Sequence, residues 1–271
     1  MATTAEKIEA TTGLLAQGVA EVIESGDFKR ALTMAGRVHT YSISNTMLIM
    51  AQKPSASRVA GFKSWLGMNR CVRKGEKGIQ IYVPHIHKLN EGEEDRPRVS
   101  FGVGYVFDVE QTDGEDLPEV PSVDWLDGEA LDGFLDAAIG FATAQGIRAV
   151  LSSCEVPDAS RGFWRATARE IHLSVECGGL QRAKTFIHEL AHALDTNLDA
   201  DRGRAEAVAE GVAYTVTQYF GMETGDQSLG YIAAWCTDKD RFMQVMGEIQ
   251  KISHTIIEGV GEQSLPDQIA A

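Results

Sequence analysis

No apolar run in this 271-residue chain approaches the roughly 20 residues that a membrane-spanning helix needs. The longest, GVAYTV at 211–216 and AAIGFATA at 137–144, fall far short, so no membrane partner is expected. Cysteine is scarce: Cys71, Cys154, Cys177 and Cys236 stand far apart with no C-x-x-C pair. That argues against a cysteine-ligated zinc site and against a disulfide framework, and leaves the thiols as reduced packing groups. The N-terminal stretch carries acidic residues throughout and lacks the order of charge, apolar core and cleavage site that marks a secretory leader. The expectation is a cytoplasmic protein. No internal repeat or low-complexity tract is evident, and 44% hydrophobic with 24% charged residues suits a folded globular chain.

What basic charge there is sits at one end. Residues 1–112 hold 14 Lys and Arg against 12 Asp and Glu, whereas residues 113–271 hold 11 against 27. The two parts therefore carry net charges of +2 and −16, which implies different electrostatic roles. Residues 3–25 and 27–51 have helical apolar spacing, with Ser42, Ser44 and Asn45 offering a cap inside the second stretch and Pro54 stopping it. GIQIYVP alternates as a strand ending at Pro84, NEGEEDRPR is a polar turn, and VSFGVGYVFDVEQT reads as the returning strand of a hairpin. The acidic, proline-containing segment 111–125 reads as a linker. We place the domain boundary there, dividing residues 1–118 from 119–271. Beyond it the pattern predicts a helix near 127–145, a strand at RAVLSS, two strands joined at Thr167–Ala168–Arg169, and helices over about 181–197 and 203–220, the last closed by Gly221.

The most specific motif is TFIHELAHALD at 185–195. On a helix, positions i and i+4 share a face, so His188 and His192 can aim imidazole nitrogens at one ion. Glu189, one residue round, would stand beside the ion, where a general base takes a proton from metal-bound water. A catalytic zinc site usually adds a third protein ligand. The following helix, RAEAVAEGVAYTV, offers Glu206 and Glu210, again at i and i+4, among alanines that let two helices approach closely. Glu206 is taken as the ligand and Glu210 as the group holding a histidine N–H, with the reverse assignment left open. Asp195 and Asp199 would need the chain to bend back. Tyr214 follows Glu210 by one turn and is a candidate donor to a tetrahedral intermediate, with buried packing as the alternative. The competing account is an i,i+4 ion network on a helix surface. Carboxylates in an alanine-rich, buried-looking helix count against it. His85 and His87 share a strand face and are expected in solvent, His172 in a core or surface position, and His39 and His254 carry no signal.

A second signal lies between Lys53 and Lys88, where eight Lys and Arg face one acid, Glu76, with Phe62, Trp65 and Tyr82 interleaved. Cations that follow a phosphate backbone and aromatic faces that stack bases suit single-stranded nucleic acid. The candidate DNA-binding residues are Lys63, Trp65, Arg70, Arg73, Lys74, Lys77 and Tyr82; the competing account is a solvated basic loop over a small core in which Phe62 and Trp65 pack. The glycine spacing of VRKGEKG does not fit a phosphate loop.

Taken in order, YSISNTMLIMAQKPSASRVAGFKSWLGMNRCVRKGEKGIQIYVP, VFDVEQTDGEDLP, HELAHALD and EAVAEGVAY resemble the ArdC-type antirestriction proteins of plasmids and phages, over roughly residues 5–235. The resemblance implies an N-terminal single-stranded-DNA-binding domain, a C-terminal zincin-like metallopeptidase domain and protection of incoming DNA. It carries metal-binding roles onto His188 and His192 and the catalytic role onto Glu189. It also implies an acidic third ligand within EAVAE, and the valine at 208, where some relatives of this peptidase class have an acid, favours Glu206.

The expected architecture is α+β in two domains: helices with a small sheet for single-stranded DNA, and a zincin-like domain using Zn2+, or Mn2+, to hydrolyse an unidentified protein substrate. Two other functions fit the same residues. One is a non-proteolytic protein that coats single-stranded DNA and holds a structural metal. The other is a regulatory metalloprotease that cuts one repressor.

Overall fold

The computed structural model describes residues 3–87, 98–117, 128–152, 161–197, 201–222 and 229–264. Most of the expected polar turn (90–97), the later part of the acidic segment (118–125), Cys154 and Asp199 lie outside them. In chain order the elements are α1 (Thr4–Ser25), α2 (Phe28–Arg37), α3 (Ile43–Gln52), β1 (Val59–Gly61), α4 (Phe62–Gly67), β2 (Arg70–Val72), β3 (Ile79–His87) and β4 (Arg98–Asp108). A 3-10 turn at Val109–Gln111 leads to β5 (Thr112–Gly114). There follow α5 (Gly128–Ala144), β6 (Arg148–Ser152), β7 (Gly162–Arg165), β8 (Glu170–Ser174), α6 (Gly179–Leu194), α7 (Arg202–Tyr219), α8 (Leu229–Trp235) and α9 (Lys239–Ser264). Helices and sheets together make an α+β chain. No described helix is long and apolar enough to cross a membrane.

Two compact units are present, Met1–Ser25 with Tyr41–Pro118, and Gly26–Thr40 with Glu119–Ala271. Their composition differs from an uninterrupted division at 118, because residues 26–40 pack with the second unit. The apolar face of α2, Phe28, Ala31, Leu32, Met34 and Ala35, is buried there, with Phe28 against Phe242 at 6.1 Å between ring centroids. The helical pattern over 27–51 is thus two helices. Val38 ends α2, and Ser42 is the N-cap of α3.

In the first unit, β1, β4 and β3 form an antiparallel sheet in that order, and β2 pairs with β5. β3 continues past Pro84 to His87. It is an edge strand, where a proline need not donate to a neighbour. Its open edge is covered by α3. Asn45 exchanges hydrogen bonds with the backbone of Tyr82 (2.8 and 3.0 Å), and Gln52 does the same with Gln80 (2.9 Å each). Positions 45 and 52 share a helix face and 80 and 82 a strand edge, so two side-chain amides replace a neighbouring strand. Buried Asp108 accepts from the backbone N–H of Ser57 (2.7 Å), Arg58 (3.2 Å) and Glu110 (3.0 Å). It thereby fixes the end of β4 and the turn that follows. Part of the expected linker is therefore structure, since Thr112–Gly114 pair with β2.

The second unit holds the mixed sheet β6–β8–β7, parallel across β6 and β8 and antiparallel across β8 and β7. α6 lies against this sheet, with Ala183, Phe186, Ile187, Leu190 and Ala191 fully buried. Full burial of each larger apolar side chain contributes about 1.5–3 kcal/mol. α7 packs on α6 and α9 and carries small buried residues on two sides, Ala207 and Gly211 on one and Ala209 and Ala213 on the other. Gly211 permits the close approach, because a Cβ there would overlap Ile249 of α9. This packing turns the polar faces of α6 and α7 toward each other.

Candidate functional site

The polar face of α6 carries His188, Glu189 and His192, and the facing side of α7 carries Glu206 and Glu210. His188 Nε2 lies 3.2 Å from His192 Nε2. Glu206 Oε2 lies 3.5 Å from His188 Nε2 and 3.8 Å from His192 Nε2. A tetrahedral cation with bonds of about 2.0–2.1 Å keeps its ligand atoms roughly 3.3 Å apart. The three atoms are therefore spaced as ligands of one ion. Glu210 meets the other side of the first ring, with Oε1 3.6 Å from His188 Nδ1. That is where a carboxylate fixes the tautomer and direction of a ligating imidazole. His192 also stands in the last turn of α6, where the carbonyl end of the helix favours positive charge.

The electrostatics of the five groups are coupled. For His188, burial acts to lower the pKa, but the hydrogen bond to Glu206 and the charges of Glu210 and Glu189 outweigh it and hold it above its ordinary value. His192 is pushed down by burial and by its neighbour His188. Glu206 is held below the usual carboxylate range by His188, against burial. Metal binding at these imidazoles competes with protons, because a ligating nitrogen must be unprotonated. Glu189 is different. Burial is its largest influence and raises its carboxyl above the usual range, against His188 and a hydrogen bond from the Trp164 backbone on β7.

A cavity of about 390 Å³ opens beside these groups, lined by Arg161, Gly162, Gln181, Lys184, Thr185, His188, Glu189 and Glu210. Tyr214 does not line it. Its side chain is sealed at 1% exposure, so it packs in the core and is not positioned as a donor to a reacting group. The cations at the cavity are Arg161 and Lys184, neither singled out by motif spacing. Lys184 Nζ is 3.6 Å from Glu210 Oε2.

Asp195 is not a ligand. Arg204, 1% exposed, donates from Nη2 to Asp195 Oδ2 at 2.6 Å and to the Asn197 carbonyl at 2.7 Å, and from Nη1 to Glu248. Asp195 caps the C-terminus of α6 three residues after His192, and Arg204 precedes Glu206 by two. The buried ion pair therefore pins the two ligand-bearing helices next to the trio. Sequence reasoning missed Arg204, which local pattern does not distinguish from its neighbour Arg202 at the start of α7. His172 is buried, stacked on Phe163 at 4.7 Å and hydrogen-bonded to Glu170, and plays no part in the site.

The cationic stretch of the first unit is brought together only in part. Lys63, Lys74 and Lys77 are exposed. Arg70 is spent on the fold: Nε donates to Thr112 Oγ1 at 2.9 Å, Nη2 to the Thr112 carbonyl, and Nη1 to the carbonyls of Gly114 and Glu115. Arg73 pairs with Glu76 at 2.9 Å and Asp113 at 3.3 Å. Trp65 is 1% exposed, and its indole N–H donates to the Phe107 carbonyl, so its ring is core and not a base-stacking face. Tyr82 is half-buried with its hydroxyl 2.8 Å from Thr12 Oγ1. His85 is exposed, as expected. The aromatics that do face solvent are Phe62, Phe101 and Tyr105, at 49%, 59% and 46% exposure. The signal for the last two was the alternation in SFGVGYVF, which puts aromatics on one strand face and glycines on the other.

Residues 3–119 match the family model described as the N-terminal domain of anti-restriction factor ArdC. The chain is also similar to two crystal structures of the antirestriction ArdC protein from the R388 plasmid. The metal-free form is 21% identical, with a TM-score of 0.54 over 93% of this chain and 98% of that one. The Mn(II)-bound form is 21% identical, with a TM-score of 0.55 over 95% and 99%. No curated protein matches. At that identity the likeness establishes a shared α+β fold, and the chemistry has to be read from this chain's own side chains.

Proposed function

On the premise that this is an ArdC-type chain, with an ArdC N-terminal domain over residues 3–119, we propose that it joins a surface for single-stranded DNA to a metal-dependent peptidase site. The division of labour follows the two units, with DNA on the part within residues 1–118 and a zincin-like peptidase within 119–271. The observation that carries the enzymatic half is the trio of His188 Nε2, His192 Nε2 and Glu206 Oε2, with Glu189 beside it. These atoms suit a divalent ion, Zn2+ by the two nitrogens and one oxygen, with Mn2+ bound in the similar R388 protein. Such an ion supplies Lewis acidity that lets a water lose a proton near neutral pH.

The residues of the chain provide the rest. Glu210 holds the N–H of His188 and directs its other nitrogen toward the trio. Glu189, a carboxyl with a raised pKa, accepts a proton from water on its carboxylate and returns it to the departing amine. Arg161 and Lys184 oppose the negative charge that develops on a peptide carbonyl in the cavity. β7, an edge strand whose Trp164 N–H already reaches Glu189, lies where an extended substrate can run past the base. On the first unit, Lys63, Lys74 and Lys77 contact phosphates while Phe62, Phe101 and Tyr105 stack bases. The test of the enzymatic reading is Glu189→Gln. Metal content should be retained, while peptide cleavage and DNA protection fall together by about 10²–10⁴-fold. Protection that survives unchanged would instead identify a DNA-coating protein with a structural metal.

A further inference from the structure

Outside the site already described, one other group of metal-type ligands comes together among the described residues. His39, two residues beyond the end of α2, meets His254 and Glu258, which stand one turn apart on α9. Their ligand atoms all lie within 4.8 Å of one another. His39 Nδ1 is 3.0 Å from His254 Nδ1 and 3.8 Å from Glu258 Oε1. Two N–H groups cannot face each other at 3.0 Å, so at least one ring turns a lone pair inward. We propose that His39, His254 and Glu258 form a second site for a divalent transition metal ion, distinct from the one on α6 and α7.

The first site is an internal yardstick. Its nitrogens are 3.2 Å apart and its carboxylate oxygen 3.5 and 3.8 Å from them, against 3.0 and 3.8 Å here. Both sets bracket the roughly 3.3 Å spacing of ligands on a tetrahedral ion. Two imidazoles and one carboxylate are donors for Zn, Co, Ni or Mn, and poor ones for Ca or Mg, which prefer oxygen alone. The site is also held in shape and open on one side. The His39 side chain is 9% exposed and packs edge-on against Tyr219 at the end of α7, at 5.2 Å and 87°. The Glu258 side chain is 55% exposed and gives an ion a way in from water.

An ion there has a structural task. His39 stands near the end of residues 26–40, the stretch that packs with the second unit between two segments belonging to the first. Bridging His39 to α9 fastens that stretch at its exit, beyond what α2 achieves by packing on α7 and α9. Binding only to the folded chain stabilises it by mass action. Among the described residues no further Asp or Glu joins these three donors, which makes the ion a staple and not a second catalytic centre.

The experiment is a calorimetric titration of Zn(II) into the full-length, EDTA-stripped chain, with Co(II) absorption as a second reading. Two equivalents are expected for the wild type and one for His188→Ala/His192→Ala. Adding His254→Ala to that double variant should abolish the remaining equivalent, and adding Glu258→Gln should weaken it about tenfold or more. The exposure of Glu258 makes that variant safe for folding, which far-UV circular dichroism checks. A double variant that binds no Zn(II), or one whose ion is indifferent to both His254→Ala and Glu258→Gln, overturns the second site. An ion lost with His254 but not with His188 would leave the second site standing and remove the proposed peptidase centre.

Discussion

Replacing Arg204 by methionine tests whether the two ligand-bearing helices are held by a buried charge network. The guanidinium is almost fully enclosed, and three acceptors depend on it: Asp195, Glu248 and the Asn197 carbonyl. Methionine keeps most of the volume and removes every donor. Among the described residues the Asp195 side chain, 7% exposed, then keeps the Asn197 N–H at 2.9 Å, while Glu248, 25% exposed, can turn to water. Breaking a buried pair by removing one partner costs about 3–5 kcal/mol, and most of that here falls on Asp195. At about 1.4 kcal/mol per factor of ten, amides of α6 and α7 that exchange by opening of this helix pair should exchange roughly two to four orders of magnitude faster. Hydrogen exchange followed by mass spectrometry, on protein stripped of metal, reads this directly. The loss should also reach the metal, since Asp195 and Arg204 flank His192 and Glu206 in sequence. Zn(II) affinity should fall about 10–100-fold. Coupling provides the decisive control. In an Asp195→Asn background the same substitution should cost clearly less, because the stranded carboxylate is gone. A cost under about 1 kcal/mol, or an equal cost in both backgrounds, would refute the account.

Other outcomes follow from the same geometry. Glu210→Gln should weaken Zn(II) binding about 10–100-fold, and Glu206→Gln more than that, as measured by competition with a chelating dye. The reverse ranking would exchange their roles. Lys63, Lys74 and Lys77 changed together to Gln should lower the slope of log affinity for oligo-dT against log salt by up to about 2, at roughly 0.7 for each phosphate no longer neutralised. Arg70→Gln, by contrast, should loosen the pairing of β2 with β5 and lower the thermal midpoint. Burial, aided by Asp238, pushes the Cys236 thiol up to about 12. At pH 8 iodoacetamide should therefore label exposed Cys71 while leaving Cys236 intact until denaturant is added, as read by peptide mapping.

What could be read from sequence was whatever one helix or strand decides by itself. His188 and His192 share a face because of helical pitch, and so do Glu206 and Glu210. The strands meeting at Thr167–Ala168–Arg169 were legible because alternation and turn residues are local. The misread residues all depended on which face a neighbouring element covers. Trp65 and Phe101 contribute equally to a count of aromatics, yet Trp65 finds a carbonyl in the core while Phe101 stands in water. Arg70 and Lys77 contribute equally to a count of cations, yet the planar, multidonor guanidinium of Arg70 is used up on β5. Composition can announce a basic, aromatic surface without identifying its members.

The same reasoning explains why both charge clusters beyond the main motif escaped notice. Arg204 finds Asp195 nine positions back and Glu248 forty-four positions ahead. His39 finds His254 across 215 positions. No periodicity spans such distances, and only the packing of α2, α7 and α9 brings these groups together. The small residues of α7 are the link. Small buried residues on both sides of α7 let α6 and α9 approach it, so one compositional feature bears both on the spacing of His188, His192 and Glu206 and on the burial of the Arg204 ion pair. Enlarging Gly211 to alanine forces a Cβ into Ile249 Cδ1 and Cγ1, so that either the Ile249 side chain turns within the packed interior or α9 shifts away from α7. Because Glu248 and His254 both ride on α9, that single methyl should loosen the Arg204 network and separate His254 from His39, although Gly211 touches neither. A variant that kept both intact would show that helix spacing is set elsewhere.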